Sequence, residues 1–128
     1  MEIKFNKTVC PCLNQVLSQI QTQEQTQEVR LPEMMPDIGR VLGCWGQVLV
    51  RSKEWRGGSM AVSGGVLAWV LYAPENGSEV RSVDTWIPFQ MRWELPQTQR
   101  DGSICVLPLL NSMDARSTSA RKLMVRAN

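Results

Sequence analysis

A chain of 128 residues with 14 Lys plus Arg, 12 Asp plus Glu and no histidine has room for one domain, large enough to bury about two thirds of its unfolded surface. Its basic residues are scattered singly, which argues against nucleic acid as a partner, and no apolar run approaches the ~20 residues of a membrane span. The missing histidine removes Ser-His-Asp and Cys-His nucleophile activation and, with them, the commonest general base.

The start, Met1-Glu2-Ile3-Lys4-Phe5, lacks the basic and apolar blocks of a signal peptide, so a cytoplasmic protein is expected. Cys10 and Cys12 form a C-x-C pair, while Cys44 and Cys105 stand alone in apolar surroundings where a small buried thiol is ordinary. A disulfide frame stays open but is not implied, and a zinc site lacks both C-x-x-C pairs and histidines. No metal and no cofactor are expected.

From Leu13 to Leu31 the chain is rich in Gln and Thr. Val16, Leu17 and Ile20 suit a helix, but Val29 and Leu31 alternate with Arg30 as a strand does, and extended structure is favoured for most of the stretch. Its Gln-rich middle reads equally as an edge strand or a solvated linker. Leu31-Pro32-Glu33-Met34-Met35-Pro36-Asp37-Ile38-Gly39-Arg40-Val41-Leu42 then interrupts the pattern. Asp37 suits an N-cap after Pro36, Ile38, Val41 and Leu42 share one helical face, and Gly43 supplies a stop. The spacing predicts a helical plug of one to two turns over 37–42, covering an open end of the core.

Strand signals follow. Cys44 to Lys53 carries Val48, Leu49 and Val50 and ends at the turn Arg56-Gly57-Gly58. Met60 to Ala73 is apolar on both faces in its second half, which predicts a central strand covered on two sides, with Gly64-Gly65 marking a bulge or close backbone approach. Pro74-Glu75-Asn76-Gly77-Ser78 is a hairpin turn. Val80 to Phe89 should pair back on Met60–Ala73, with Pro88 ending its ladder or placing it at an edge and Met91–Leu95 continuing past a kink. After a polar loop over Pro96–Ser103 come an apolar run, Ile104–Leu110, a Ser/Thr-rich turn and a closing strand at Lys122–Ala127. The expectation is a mainly β, sandwich-like single domain spanning residues 1–128, with one short helix.

The carboxylates Glu33, Asp37, Glu54, Asp84, Glu94 and Asp114 form no evident pair, and Gly57-Gly58 and Gly64-Gly65 lead into no phosphate-binding helix. No catalytic residue is assigned. Trp45, Trp55, Trp69, Trp86 and Trp93 suit core and strand packing, but Trp86 and Trp93 are also candidates for an interaction surface.

The order of these elements resembles the SPOCS domain of endospore-forming Firmicutes. The resemblance is carried by the opening Met1–Lys7, by Leu31-Pro32-Glu33 with Pro36-Asp37-Ile38 and Val41-Leu42, and by Val50-Arg51-Ser52-Lys53-Glu54. Val62-Ser63-Gly64, Val70-Leu71-Tyr72, Ile87-Pro88-Phe89 and Ser119–Ala127 continue it over nearly the whole chain. It implies a non-enzymatic protein of sporulation, associated with spore coat assembly around the forespore in the mother cell. Family members often end in a LysM module, and some bind the ATPase that polymerises as the coat's basement layer. The chain stops at Asn128 without such a module, so it reads as the N-terminal domain of a longer protein. The expected function is protein interaction and scaffolding among coat morphogenetic proteins. The alternative is a carbohydrate-binding sandwich that recognises cell-wall or cortex glycan through Trp86 or Trp93. Self-association into a homo-oligomer is also expected from an edge strand and surplus tryptophans.

Overall fold

Gly57 and Gly77 both take positive φ, 56° and 76°, the conformation that a tight reversal demands and that side chains resist. They turn the middle of the chain into a three-stranded meander. The computed structural model describes residues 19–94 and 103–128; Cys10, Cys12 and most of the predicted loop over 96–103 lie outside them. In the described residues β1 is Gln25–Arg30, β2 Ile38–Arg56, β3 Ser59–Pro74, β4 Arg81–Glu94, β5 Met113–Ser119 and β6 Lys122–Ala127. They form two antiparallel sheets, one ordered β2-β3-β4 and the other β1-β6-β5. The mainly β fold follows from the alternation in the sequence. The apolar run Ile104–Leu110, by contrast, forms no strand.

The core lies between the two sheets. Val62, Val66, Ala68, Val70 and Tyr72 project from one face of β3, Val83 and Ile87 from β4, and Val29, Leu123, Val125 and Ala127 from the facing sheet, all buried. Cross-strand partners share a face, so Val48, Val66 and Ile87 form one inward row and Cys44, Val70 and Val83 another. Met113 of β5 packs where Gly46 has no side chain, its Cε 2.9 Å from the site a Cβ would take. β4 runs through Pro88 to Glu94 as one strand at the sheet edge, the position where a missing N–H costs no ladder bond.

The helix predicted over 37–42 does not form: β2 begins at Ile38. Asp37 therefore caps nothing. Its backbone carbonyl accepts the Glu75 N–H at 3.0 Å, and its carboxylate accepts Arg121 Nη1 at 2.8 Å. Of the three residues expected to share a helical face, Ile38 is buried, Val41 is half-buried in the core-facing row and Leu42 is 41% exposed. The physical reason is competition. Ile38 and Val41 are β-branched, two glycines lie between residues 39 and 43, and β3 offers a ladder along the whole length, whereas six residues could supply little helical stability of their own.

What folds the Pro32–Asp37 bend is Arg121, from the β5–β6 turn. Its guanidinium donates to the carbonyls of Met35 (2.9 Å) and Pro32 (2.7 Å) as well as to Asp37. Leu31 N–H donates to Arg121 O and Ile38 N–H to Ala120 O, at 2.9 and 2.8 Å. Behind the bend the Tyr72 hydroxyl donates to Pro36 O at 2.8 Å.

Burial pushes the Tyr72 phenol above its ordinary value of 10.0, the nearby cations Arg81 and Arg121 pull it back, and Asp37 adds a smaller upward push. Tyr72 is the only tyrosine in the chain, so absorbance reports it directly. In the folded chain the midpoint of phenol ionisation should lie above 10.0, returning to the ordinary range once urea unfolds it. The neutral phenol's contribution is complete below the unfolded value and is lost as pH rises through the folded one. Alkaline unfolding should therefore steepen above pH 10.0. A midpoint at or below that value in the folded chain would contradict the buried, hydrogen-bonded placement.

Candidate functional site

The second face of β3 carries the candidate site. Residues of odd number from Ala61 to Leu71 point away from the core, and their partners continue that face: Gly43 and Ser82 beside Leu71, Trp45 and Asp84 beside Trp69, Gln47 and Trp86 beside Leu67, Leu49 and Pro88 beside Gly65. This face was expected to be covered. Among the described residues no strand packs on it, because the β1-β6-β5 sheet lies entirely on the other side. An outward sheet surface with three tryptophans and three leucines is much more apolar than a solvated face normally is.

Two aromatic arrangements build it. Trp45 and Trp69 are direct cross-strand partners with ring centroids 6.3 Å apart and an interplanar angle of 21°, an offset stack. Trp45 remains 49% exposed. The Trp86 ring lies across Gly65, in the space that any side chain there would occupy. Over that ring sits the guanidinium of Arg51, 4.3 Å from the centroid, a cation–π pair at the sheet surface. Arg51 reaches it because a bulge between Val50 and Ser52 makes it an extra residue in β2.

Trp86 and Trp93, the candidates from sequence, are seven positions apart in a strand without a register break, so they lie on opposite faces of β4. Trp86 belongs to the outer face. Trp93 pairs with Met60, next to Trp55, at the far end of the hairpin on the other face. Its indole Nε1 is buried without a hydrogen-bond partner among the described residues. The structure thus joins Trp86 to Trp45, Trp69 and Arg51, and not to Trp93. The signal for that grouping was present in the doubly apolar pattern of β3, where Leu67, Trp69 and Leu71 oppose Val66, Val70 and Tyr72.

A shallow groove of about 470 Å³ borders the face at the β4 edge, lined by Gln23, Arg51, Ser63, Pro88, Phe89 and Gln90 among others. Gln23 Nε2 donates to Gln90 O at 3.4 Å, and its Oε1 is buried without a partner among the described residues. The carboxylates are dispersed: Asp37 meets Arg121, Asp114 meets Arg126, and Glu54 and Glu94 meet Arg56 and Arg92. Burial pushes the Cys44 thiol up, and the Asp114 carboxylate adds to it, the reverse of what an activated nucleophile requires. Cys105 is exposed. Among the described residues no helix is long and apolar enough to cross a membrane.

Comparison with protein-family models, with curated proteins and with solved structures found no match to this chain.

Proposed function

We propose that this chain is a non-enzymatic interaction and scaffolding domain of spore coat assembly, and that the outer face of the β2-β3-β4 sheet docks a coat morphogenetic protein. The observation that carries the interaction reading is the row of Trp45, Trp69 and Trp86 with Leu67 and Leu71 on a sheet face that no strand covers among the described residues. Tryptophan and arginine are the residue types that most often anchor protein interfaces, and here Arg51 lies over Trp86 on the same surface. The sporulation setting rests on the order of short motifs from Met1–Lys7 to Ser119–Ala127. That resemblance also names the polymerising ATPase of the basement layer as a partner, and the mother-cell side of the forespore as the place of action.

Affinity capture from sporulating cells tests the proposal. The parent chain should recover identified coat proteins, and the Trp45→Ala/Leu71→Ala double variant should recover about tenfold less or lower, the effect of losing one anchor worth ~1.4 kcal/mol or more. Unchanged circular dichroism would exclude misfolding as the cause. Recovery of no coat protein, or a source organism that forms no spores, would overturn the coat assignment.

A glycan-binding reading through Trp86 or Trp93 has less support. The two rings lie on opposite faces, and the Trp86 ring already carries Arg51, which a sugar would have to displace. Tryptophan fluorescence unmoved by millimolar cell-wall fragments would remove it.

A further inference from the structure

Every open sheet has two edges, and among the described residues three of the four are guarded. β1 and β5 are short, six and seven residues, and charged along their length by Glu28 and Arg30 and by Asp114 and Arg116. β4 is longer but carries Arg81, Asp84, Arg92 and Glu94, and Pro88 has no N–H to offer a further strand. These are the usual devices that stop one sheet from adding to another.

β2 has none of them over its middle. From Val41 to Val50 it contains no charge and no proline. That stretch pairs with β3 on one side, and among the described residues no backbone hydrogen bond leaves it on the other. In an antiparallel ladder the backbone groups that do not face β3 point outward in the sheet plane, so among the described residues the stretch presents a row of unpaired donors and acceptors.

We infer that β2 pairs antiparallel with β2 of a second copy of this chain, about a two-fold axis perpendicular to the sheet, joining two three-stranded sheets into one of six strands. The occupant follows from the edges themselves. Growth of β2 onto β4 would meet Pro88 and four charged side chains, and β1 or β5 would set Glu28 and Arg30, or Asp114 and Arg116, against an uncharged strand. The long, uncharged edge that the molecule can offer to β2 is β2. With one unguarded edge among the described residues, pairing also closes the assembly at two copies, where a β2-to-β4 contact would propagate as a filament. The regular part of the ladder, Gly43 to Val50, is bracketed by bulges at both ends, which sets the length available for pairing. Within it Trp45 and Leu49 share the outer face and Cys44 and Val48 the inner one. Pairing across the axis therefore sets apolar against apolar and joins the two aromatic faces on one side of the six-stranded sheet. This inference uses the edge of β2 and stands apart from what docks on the face.

Sedimentation equilibrium on the full chain, from low to high micromolar, should show a monomer–dimer equilibrium. Gln47, exposed in the middle of the stretch, supplies the variants. Gln47→Lys and Gln47→Glu, each alone, should weaken dimerisation by about tenfold or more by setting like charges across the axis, and an equimolar mixture of the two should restore it. Ser82→Lys, on the outer face of β4, should leave the dimer unchanged. Amide exchange over Val41–Val50 should slow on dimerisation. The inference is overturned by a strict monomer at high concentration, by a dimer indifferent to Gln47→Lys, by a mixture that fails to restore association, or by equal damage from Ser82→Lys. A monomer in which every amide from Val41 to Val50 is protected would likewise overturn it, since another segment of the same chain would then fill the edge.

Discussion

Gly64→Ala should destabilise the domain by more than about 4 kcal/mol, a range reached only when a substitution collides with something that cannot move. Gly64 pairs with Val50 on one side and Phe89 on the other, in the middle of the central strand. A Cβ built there runs into the backbone carbonyl of Leu49 and lies 3.0 Å from Val50 Cα. Both belong to β2 backbone, so no rotamer change relieves the clash. Either β2 shifts away and surrenders ladder bonds at its bulge, or β3 tilts and opens the packing beneath Val62 and Val66. Gly65→Ala differs in kind, because its Cβ meets the ring of Trp86. That ring can swing off, leaving the fold intact but dispersing the Arg51–Trp86 pair. Gly58→Ala is the control, since nothing lies within 4 Å of its Cβ position. Urea unfolding of the three variants checks the order: Gly64→Ala worst by a wide margin, Gly58→Ala within about 0.5 kcal/mol of the parent. A Gly64→Ala chain as stable as the Gly58→Ala chain would mean that β2 and β3 are not in the register described.

The sequence pattern carried the strands because their signals are local. Gly57 and Gly77 announce the two reversals, and the alternation from Val62 to Tyr72 needs only its own residues to be read. The doubly apolar half of β3 was legible too, but its meaning was not. Leu67, Trp69 and Leu71 could have faced a third layer or an outer surface, and only the placement of β1, β5 and β6 decides that. Parity fails across β2 for a definite reason. Leu42 and Arg51 fall at its register breaks, so Val41 faces the core while Gly43, two positions on, faces out. Arg51 thereby joins Trp86, a partnership that period-two reading cannot find. Arg121 is hidden in a different way: its acceptors lie 84 to 89 positions earlier in the chain, and no short motif marks it.

The segment around Ile38 separates the two readings of the Pro36–Leu42 stretch by experiment. Ile38→Ala should cost ~2–5 kcal/mol, the range for a buried aliphatic whose cavity cannot collapse. Ile38 is 6% exposed and packs in the same core cluster as Leu31, Val70 and Tyr72. Its own N–H is tied to Ala120 O at one end of β2, while Asp37 beside it is held by Arg121, so the backbone around the lost methyl groups has little freedom to close the void. Leu42 gives the opposite expectation. At 41% exposed and set at a register break, it has no packed wall behind it, and Leu42→Ala should fall within about 0.5 kcal/mol of the parent. A helical plug that seated Ile38, Val41 and Leu42 on one face would make the two costs similar, because both side chains would leave holes in the same lid. A strand makes them unequal, because only Ile38 enters the space between the sheets. The difference between the two variants in urea, rather than either loss alone, therefore reads the local structure. Equal losses would restore the helix, and a negligible loss at Ile38 would remove it from the core altogether.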